Sequence, residues 1–224
     1  TTLKNISFSI KSGEKVAIIG ASGSGKTTIS QLIAGFYAKN SGDILYNDIS
    51  IDNISKKSLR EHLFLVLQMP ILFNNTLRFN LTMGENISNE KIKEALKIAQ
   101  LNSMLENLPD GLDTIVGKMG IRLSGGQRQR LSIARMILAN PSVVIFDEST
   151  SALDVQTETK LFENLENILK DKTVITIAHR LSTVKNASKI FVLEDGELVQ
   201  SGTHMELEDE IGHYKEFVKH QLLN

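Results

Sequence analysis

A short apolar run, a glycine-rich loop and a helical pattern follow one another in KVAIIGASGSGKTTISQLI, residues Lys15–Ile33. Val16–Ile19 has the length and composition of a strand that is buried on both faces. Beyond the loop, apolar residues recur at the spacing of one helix face: Ile29, Leu32, Ile33 and Phe36. Other apolar runs alternate with helical patterns along the chain. This alternation predicts an α/β fold around a mostly parallel sheet.

The loop itself matches the pattern G-x-x-x-x-G-K-[ST] at Gly20–Thr27. Its glycines let backbone N–H groups turn inward around a phosphate chain, and the helix N-terminus that follows favours anions. In this pattern Lys26 reaches the β- and γ-phosphates, and the Thr27 hydroxyl ligates Mg²⁺. A glycine-rich surface turn is the alternative, but the strand before and the helix after favour phosphate binding. The predicted nucleotide-binding residues of the loop are Gly20, Ser22, Gly23, Ser24, Gly25, Lys26, Thr27 and Thr28.

Two acids, Asp147 and Glu148, follow the second buried apolar run, Val143–Phe146. An acid at the carboxyl end of a parallel strand faces the ligand crevice of an α/β fold. Asp147 is therefore predicted to hold Mg²⁺ through water, and Glu148 to be the general base that polarises the attacking water. A solvated pair of acids in a turn is the alternative. Beside a phosphate loop, the catalytic interpretation is favoured.

A second glycine motif, LSGGQ at Leu123–Gln127, precedes another helical pattern. A serine and two glycines at a helix start offer a small hydroxyl, free N–H groups and the helix dipole to an anion. Because the chain already has one phosphate loop, a second anion site suggests a nucleotide held by another subunit. A simple helix cap remains open as the alternative.

In this order, Gly20–Thr27, Leu123–Gln127, Val143–Glu148 and His179 resemble the Walker A, signature, Walker B and switch elements of ATP-binding cassette (ABC) ATPases. LSGGQ is the most diagnostic element, because most other P-loop proteins lack it. The resemblance extends along essentially the whole chain. It implies a P-loop NTPase (RecA-like) α/β core, a small antiparallel β region and an inserted α-helical subdomain.

The expected organisation is one ABC ATPase domain over residues 1–224. Residues 1–69 and 136–224 are assigned to the α/β core, and residues 70–135 to the helical subdomain that carries the signature. The last of these segments has helical patterns and no strong strand. Glu90–Leu108 is predicted to be one helix, and Asp195-Gly196 to be the turn of a hairpin.

The resemblance also implies roles for single residues outside the two loops. Gln68 matches the glutamine that senses Mg²⁺ and the attacking water, and His179 matches the histidine that contacts the γ-phosphate. Asp154, in Ser151–Asp154, matches the loop that crosses to a partner subunit. The alternatives are a polar group at a strand end for Gln68, a structural histidine, and a helix cap for Asp154.

The full site prediction combines these assignments. The catalytic residues are Glu148, His179, Gln68 and Lys26. The metal ligands are Thr27, Gln68 and Asp147. The nucleotide-binding residues outside the phosphate loop are Ser124, Gly125, Gly126, Gln127 and Asp154. The implied cofactors are ATP and Mg²⁺.

Two features depart from the resemblance. Thr114–Gly120 lies where exporter-type domains carry their X-loop, but Lys118 stands where glutamate is expected, and this reversal would change any contact with a transmembrane coupling helix. The aromatic residue that stacks on adenine would precede Thr1. Phe8 and Tyr37 are interpreted as core residues, so no adenine-stacking residue is named.

Composition restricts the partners. The chain has 25 basic and 26 acidic residues, no cysteine and 5% aromatic residues. A balanced charge with few aromatics argues against a nucleic-acid partner, and disulfides are excluded. No apolar stretch has the ~18 residues that a membrane span needs. Because the chain starts at Thr1 and not at Met, we expect a membrane domain upstream.

These observations favour the ATP-hydrolysing motor of an ABC exporter at the cytoplasmic face of a membrane, the inner membrane of the cell. The expected partners are a transmembrane domain, in the same or a partner chain, and a second nucleotide-binding domain in a head-to-tail dimer. The open alternatives are a non-transport ABC ATPase for DNA maintenance or translation, and the ATPase subunit of an importer.

Overall fold

The computed structural model describes residues 2–147, 152–178 and 181–222. The strands are β1 Lys15–Gly20, β2 Leu45–Tyr46, β3 Ile49–Ser50, β4 Leu63–Val66, β5 Asn75–Thr76, β6 Ile115–Val116, β7 Val143–Asp147, β8 Thr173–Ile177, β9 Lys189–Glu194 and β10 Glu197–Gly202. The α-helices are α1 Lys26–Ile33, α2 Lys56–His62, α3 Leu77–Thr82, α4 Asn89–Ile98, α5 Asn102–Glu106, α6 Gly125–Ala139, α7 Val155–Leu169, α8 Leu181–Lys185, α9 His204–Asp209 and α10 His213–Leu222.

The chain divides into two compact units. Unit 1 comprises Thr1–Leu65, Ser142–Glu148 and Lys172–Asn224, and unit 2 comprises Val66–Pro141 and Ser149–Asp171. The phosphate loop lies in unit 1 and the signature motif in unit 2. The boundaries expected near residues 69/70 and 135/136 stay a prediction.

Unit 1 is built on a six-stranded sheet in the order β10-β9-β1-β8-β7-β4. The pairs β9–β1, β1–β8 and β8–β7 are parallel, whereas β10 runs antiparallel to β9 after the turn at Asp195-Gly196, as predicted. Val16–Ile19 of β1 is 0–2% exposed, because apolar side chains cover both faces of the sheet. The sheet confirms the α/β class with a mostly parallel core. The pair β2–β3 forms a small antiparallel sheet in the same unit.

Unit 2 is mainly helical, around a core of leucine, isoleucine and alanine side chains from α3, α4 and α6. The one pair of strands within it, among the residues that the structure describes, is β5–β6, with two residues on each side. Within the described ranges, none of the helices is both long enough and apolar enough to cross a bilayer.

The prediction of a single helix over Glu90–Leu108 is wrong. The structure has two helices, α4 and α5, because Gln100 adopts a left-handed conformation with φ 56°. The N–H of Leu101 then bonds the carbonyl of Leu96 at 2.8 Å, which closes α4 with a Schellman-type cap. Periodicity alone missed the break because apolar residues continue on both sides of it.

The core assignment is correct for Phe8 and wrong for Tyr37. The Phe8 ring centroid lies 4.7 Å from that of Phe191, beside the core of unit 1. In contrast, α1 ends at Ile33 and Gly35 turns the chain with φ 69°, so that Phe36 is 55% and Tyr37 60% exposed. A turn that the helical spacing did not anticipate therefore places both aromatic rings at the surface.

Candidate nucleotide-binding site

The phosphate loop of unit 1 connects β1 to α1 through a backbone that requires glycine. Gly25, immediately before α1, has φ 104°, in the region that side chains other than glycine avoid. At Gly20 the limit is space, since a Cβ there would lie 2.1 Å from the carbonyl oxygen of Leu193 on the neighbouring strand β9. The sheet and the loop therefore pack too closely for any other residue at this position.

Lys26 begins α1 and turns back over the loop. The residue is 5% exposed. Its Nζ donates to the carbonyl oxygen of Gly20 at 2.9 Å and to that of Ala21 at 2.7 Å. A buried ammonium needs such partners, because removing its hydration without replacement is costly. The result is a positive charge held at the loop, where a phosphate chain would need it.

Ser24, inside the same loop, has a buried hydroxyl that fits a phosphate oxygen. The residue is 3% exposed, and its Oγ is the one buried side-chain polar atom without a hydrogen-bond partner among the residues that the structure describes. An unsatisfied buried hydroxyl costs about 1–3 kcal/mol. A phosphate oxygen accepted into the loop would satisfy this donor.

Asp147, the last residue of β7, contacts two hydroxyl groups near the start of α1, the helix that follows the phosphate loop. The residue is 3% exposed. Its Oδ2 accepts from Ser30 Oγ at 3.0 Å, and its Oδ1 lies 3.4 Å from Thr27 Oγ1. A carboxylate and a hydroxyl at this separation are oxygen ligands of the kind that Mg²⁺ prefers when it also binds phosphates. The predicted metal ligands Thr27 and Asp147 are thus adjacent, and they fit the ion.

The signature motif of unit 2 forms the start of α6. Ser124 Oγ accepts from the N–H of Gln127 at 3.2 Å, and Gln127 Oε1 accepts from the N–H of Ser124 at 2.8 Å, which together make a capping box. A Cβ on Gly126 would lie 3.0 Å from Leu153 Cδ2. The helix cap is therefore present, and an anion at this helix end stays a prediction.

Asp154 caps α7 in the same unit. Its Oδ1 accepts from the N–H of Thr157 at 2.9 Å, and its Oδ2 from Thr157 Oγ1 at 2.7 Å. These two hydrogen bonds hold the pKa of the Asp154 carboxyl below its ordinary value. The alternative assignment, a helix cap, is thus correct as a description of the contacts, and a role toward a partner subunit stays a prediction.

Gln68 lies in unit 2, two residues after the end of β4, and its main chain is anchored by α6. The Gln68 carbonyl oxygen accepts from Gln129 Nε2 at 3.0 Å. Further along this segment, Arg135 donates to the Ile71 carbonyl at 2.9 Å and to Asn80 Oδ1 at 3.1 Å. Burial lowers the pKa of the Arg135 guanidinium to about 10.

Sequence reasoning missed four polar residues that hydrogen-bond the segments carrying predicted site residues or their neighbours: Ser30 in unit 1, and Asn80, Gln129 and Arg135 in unit 2. All four lie on helices, and all except Arg135 are at most 3% exposed. Polar residues at inward positions of a helix pattern are the signal that could have found them. Two predicted catalytic residues, Glu148 and His179, lie outside the described residues, and so does Ser151.

A cleft of about 240 Å³ lies in unit 2 beside the start of α6. Its walls are formed by Leu72, Gly117, Lys118, Arg122, Leu123 and Arg128. Lys118 is the residue that replaces the glutamate expected in the X-loop. The next residue, Met119, is 85% exposed. This surface therefore combines positive charge with exposed apolar area.

The chain is similar to known transport proteins. A family profile described as ABC transporter matches residues 3–151. An ATP-dependent lipid A-core flippase of Chromobacterium violaceum is 46% identical over 213 residues, which cover 95% of this chain and 36% of that protein. A Staphylococcus aureus ATP-binding/permease protein with a provisional multidrug-export name is 46% identical over 214 residues, or 95% of this chain and 37% of that protein.

The fold of the chain is also similar to that of a solved structure. It is described as a bacterial Atm1-family ABC exporter with ATP bound, and the chain matches it with a TM-score of 0.92 and 39% identity over 98% of this chain and 39% of that one. The chain belongs to the ABC transporter family, as a nucleotide-binding domain of the exporter type. It spans about a third of the length of the curated relatives that it matches.

Proposed function

We propose that this chain binds and hydrolyses ATP with Mg²⁺ and that it drives export across a membrane as the motor of an ABC exporter. The observation that carries the proposal is the arrangement in unit 1. The buried ammonium of Lys26, the unsatisfied hydroxyl of Ser24 and the oxygen pair of Thr27 and Asp147 all lie within one loop, one helix turn and one strand end.

The phosphate chain binds along the loop from Gly20 to Thr28, where backbone N–H groups and Lys26 offset its charge. Thr27, Asp147 and Gln68 would hold Mg²⁺, which would supply charge neutralisation for the phosphate chain. Glu148 accepts the proton of the attacking water, and His179 contacts the γ-phosphate. Phosphoryl transfer needs mainly positioning and charge neutralisation, and this set of residues supplies both.

Each ATP is completed by a second copy or a related domain in a head-to-tail dimer. Ser124, Gly125, Gly126 and Gln127 of one domain bind the phosphates on Lys26 of the other, and Asp154 lies beside the same junction. The preformed cap at the start of α6 supports this proposal, because it presents a fixed helix N-terminus to an anion.

Export is the transport direction that the relatives favour. One is named a flippase, one carries a permease and export name, and the solved structure is an exporter. The chain then acts at the cytoplasmic face of the cell inner membrane, coupled to a transmembrane domain that forms the remainder of such a protein. A non-transport ABC ATPase or an importer subunit has no support among these relatives.

The experiment that tests the proposal is calorimetric titration of ATP with Mg²⁺ into the wild type and into Lys26→Ala. We expect Lys26→Ala to abolish binding, because the variant removes the buried cation that faces the phosphates. Lys57→Ala is the matched control, since Lys57 is exposed on α2 of the same unit. Equal affinities in the wild type and Lys26→Ala would reject the assignment of the loop.

A further inference from the structure

Gln129 is a buried side chain of α6 with a partner at each end of its amide. The residue is 3% exposed. Its Nε2 donates to the main-chain oxygen of Gln68 at 3.0 Å, and its Oε1 accepts from the main-chain N–H of Ala152 at 3.1 Å. One side chain of the signature helix therefore bridges the segment after β4 and the segment before α7, all within unit 2.

The chemistry of the two partners determines which residue can make this bridge. A main-chain carbonyl needs a donor and a main-chain N–H needs an acceptor, and a primary amide offers one of each. A leucine offers neither, and an ionised glutamate offers two acceptors and no donor. The same partners also define which end of the Gln129 amide is nitrogen.

A second set of hydrogen bonds connects the same helix, α6, to α7. Arg130 Nη1 donates to the Gln100 carbonyl at 2.8 Å, and Gln100 Nε2 donates to the Thr157 carbonyl at 3.2 Å. Burial lowers the pKa of Arg130, and the nearby charge of Asp154 opposes this shift. This route connects α6 to α7, whereas Gln129 bonds the main chain of Gln68 and Arg135 of the same helix bonds that of Ile71 further along the segment.

We propose that Gln129 is a positioning residue for ATP hydrolysis. By bonding the main chain of Gln68 and of Ala152 to α6, it makes the glutamine segment, the signature helix and the loop before Asp154 respond together when nucleotide binds. Gln129 contacts the main chain of these segments, and its effect on turnover is exerted through them. The inference rests on the proposed ATPase function.

The first test is steady-state ATP hydrolysis in the natural full-length protein with Gln129→Leu. This variant keeps the approximate volume and removes both hydrogen bonds that Gln129 makes to the two segments. We expect kcat to fall about tenfold or more, with KM for ATP changed less than about twofold. Ile133→Val is the matched control, because it removes one methyl group from a buried position on the same helix and no bond to either loop.

The second test is the pH profile of Gln129→Glu. A protonated carboxyl can donate to the Gln68 carbonyl and accept from the Ala152 N–H, as the amide does, whereas the ionised form lacks the donor. The turnover of Gln129→Glu relative to wild type should therefore fall about tenfold as pH rises through the carboxyl pKa, which burial raises. The ratio for Gln129→Leu should stay constant over the same range.

A local measurement separates this inference from the proposed function. Hydrogen–deuterium exchange at the Ala152 amide should accelerate in Gln129→Leu and stay at the wild-type rate in Ile133→Val, whether or not the protein hydrolyses ATP. Unchanged exchange at the Ala152 amide in Gln129→Leu would overturn the bridge. If the wild type hydrolyses no ATP but the exchange results hold, the proposed function fails and the bridge stands.

Discussion

At the scale of single residues, the site depends on polar groups whose partners are buried with them. Asp147 ends a strand in the core of unit 1, and it accepts a hydrogen bond from Ser30, a residue that is 0% exposed. A buried carboxylate without such a donor is costly, since its hydration is lost on folding. Ser30 therefore orients the carboxylate that we assign to Mg²⁺.

We expect Ser30→Ala to lower the free energy of unfolding by about 1–2 kcal/mol, because its single hydroxyl proton is shared between Asp147 Oδ2 at 3.0 Å and the Thr27 carbonyl oxygen at 2.8 Å. The Mg²⁺ concentration that supports half-maximal ATP turnover should also rise, because Asp147 loses one of its donors. Chemical denaturation and a Mg²⁺ titration measure the two effects.

Ile29→Val serves as the control for Ser30→Ala. It lies on the same helix, is 4% exposed and should cost about 1 kcal/mol without touching Asp147. A Mg²⁺ requirement that shifts equally in both variants would mean that Ser30 stabilises the helix and does not orient the carboxylate.

At the scale of elements, the ends of helices carry the candidate site. The phosphate loop enters α1, Ser124 begins α6, and Asp154 begins α7. Each helix start exposes N–H groups that a side chain or a ligand must satisfy. At α6 and α7 a side chain already does so, and this explains why sequence motifs at these positions allowed both a structural and a functional interpretation.

The cap at α7 predicts a pH dependence of stability. Hydrogen bonds from Thr157 lower the pKa of Asp154 from its ordinary value of 3.8, so the ionised form stabilises the folded state. This contribution is present above the unfolded pKa and is lost as pH falls through the lower folded pKa. Asp154→Asn keeps a cap that cannot ionise.

We therefore expect the melting temperature of wild type to exceed that of Asp154→Asn by its full amount at about pH 6. The difference should be smaller at about pH 3. Asp171→Asn is the control, because Asp171 is exposed in the turn after α7. A difference that is the same at both pH values would show that the charge of Asp154 does not stabilise the cap.

At the scale of the whole molecule, the two glycine motifs fall in different compact units. Unit 1 carries the phosphate loop with the predicted metal ligands Thr27 and Asp147, and unit 2 carries a capped helix start. This division is consistent with a composite site in which the second motif serves an ATP held by another domain.

Glu148→Gln should form a dimer in the presence of ATP and Mg²⁺, because removal of the proposed general base should leave ATP bound without hydrolysis. Light scattering with and without nucleotide measures the mass. The double variant Lys26→Ala, Glu148→Gln should stay a monomer, since it lacks the phosphate contact. A Glu148→Gln protein that binds ATP and still remains a monomer would contradict the head-to-tail proposal.

The α/β class, the position of the phosphate loop and the family resemblance could all be predicted from the order of the residues. These features depend on local rules: glycine where the backbone turns, a lysine at a helix start, and apolar runs of strand length. The family resemblance was confirmed by the comparisons, and the adjacency of Thr27 and Asp147 followed from the rule for strand ends.

The polar groups that meet across long separations in the chain could not be predicted and became visible in the folded chain. The break at Gln100, the exposed ring of Tyr37 and the bridge made by Gln129 depend on cap geometry and on partners far away in sequence. Hydropathy periodicity records whether a side chain faces inward. It does not record which donor or acceptor lies beside that side chain. Hydrogen bonds are directional and short, and only the folded chain brings donor and acceptor within about 3 Å of each other.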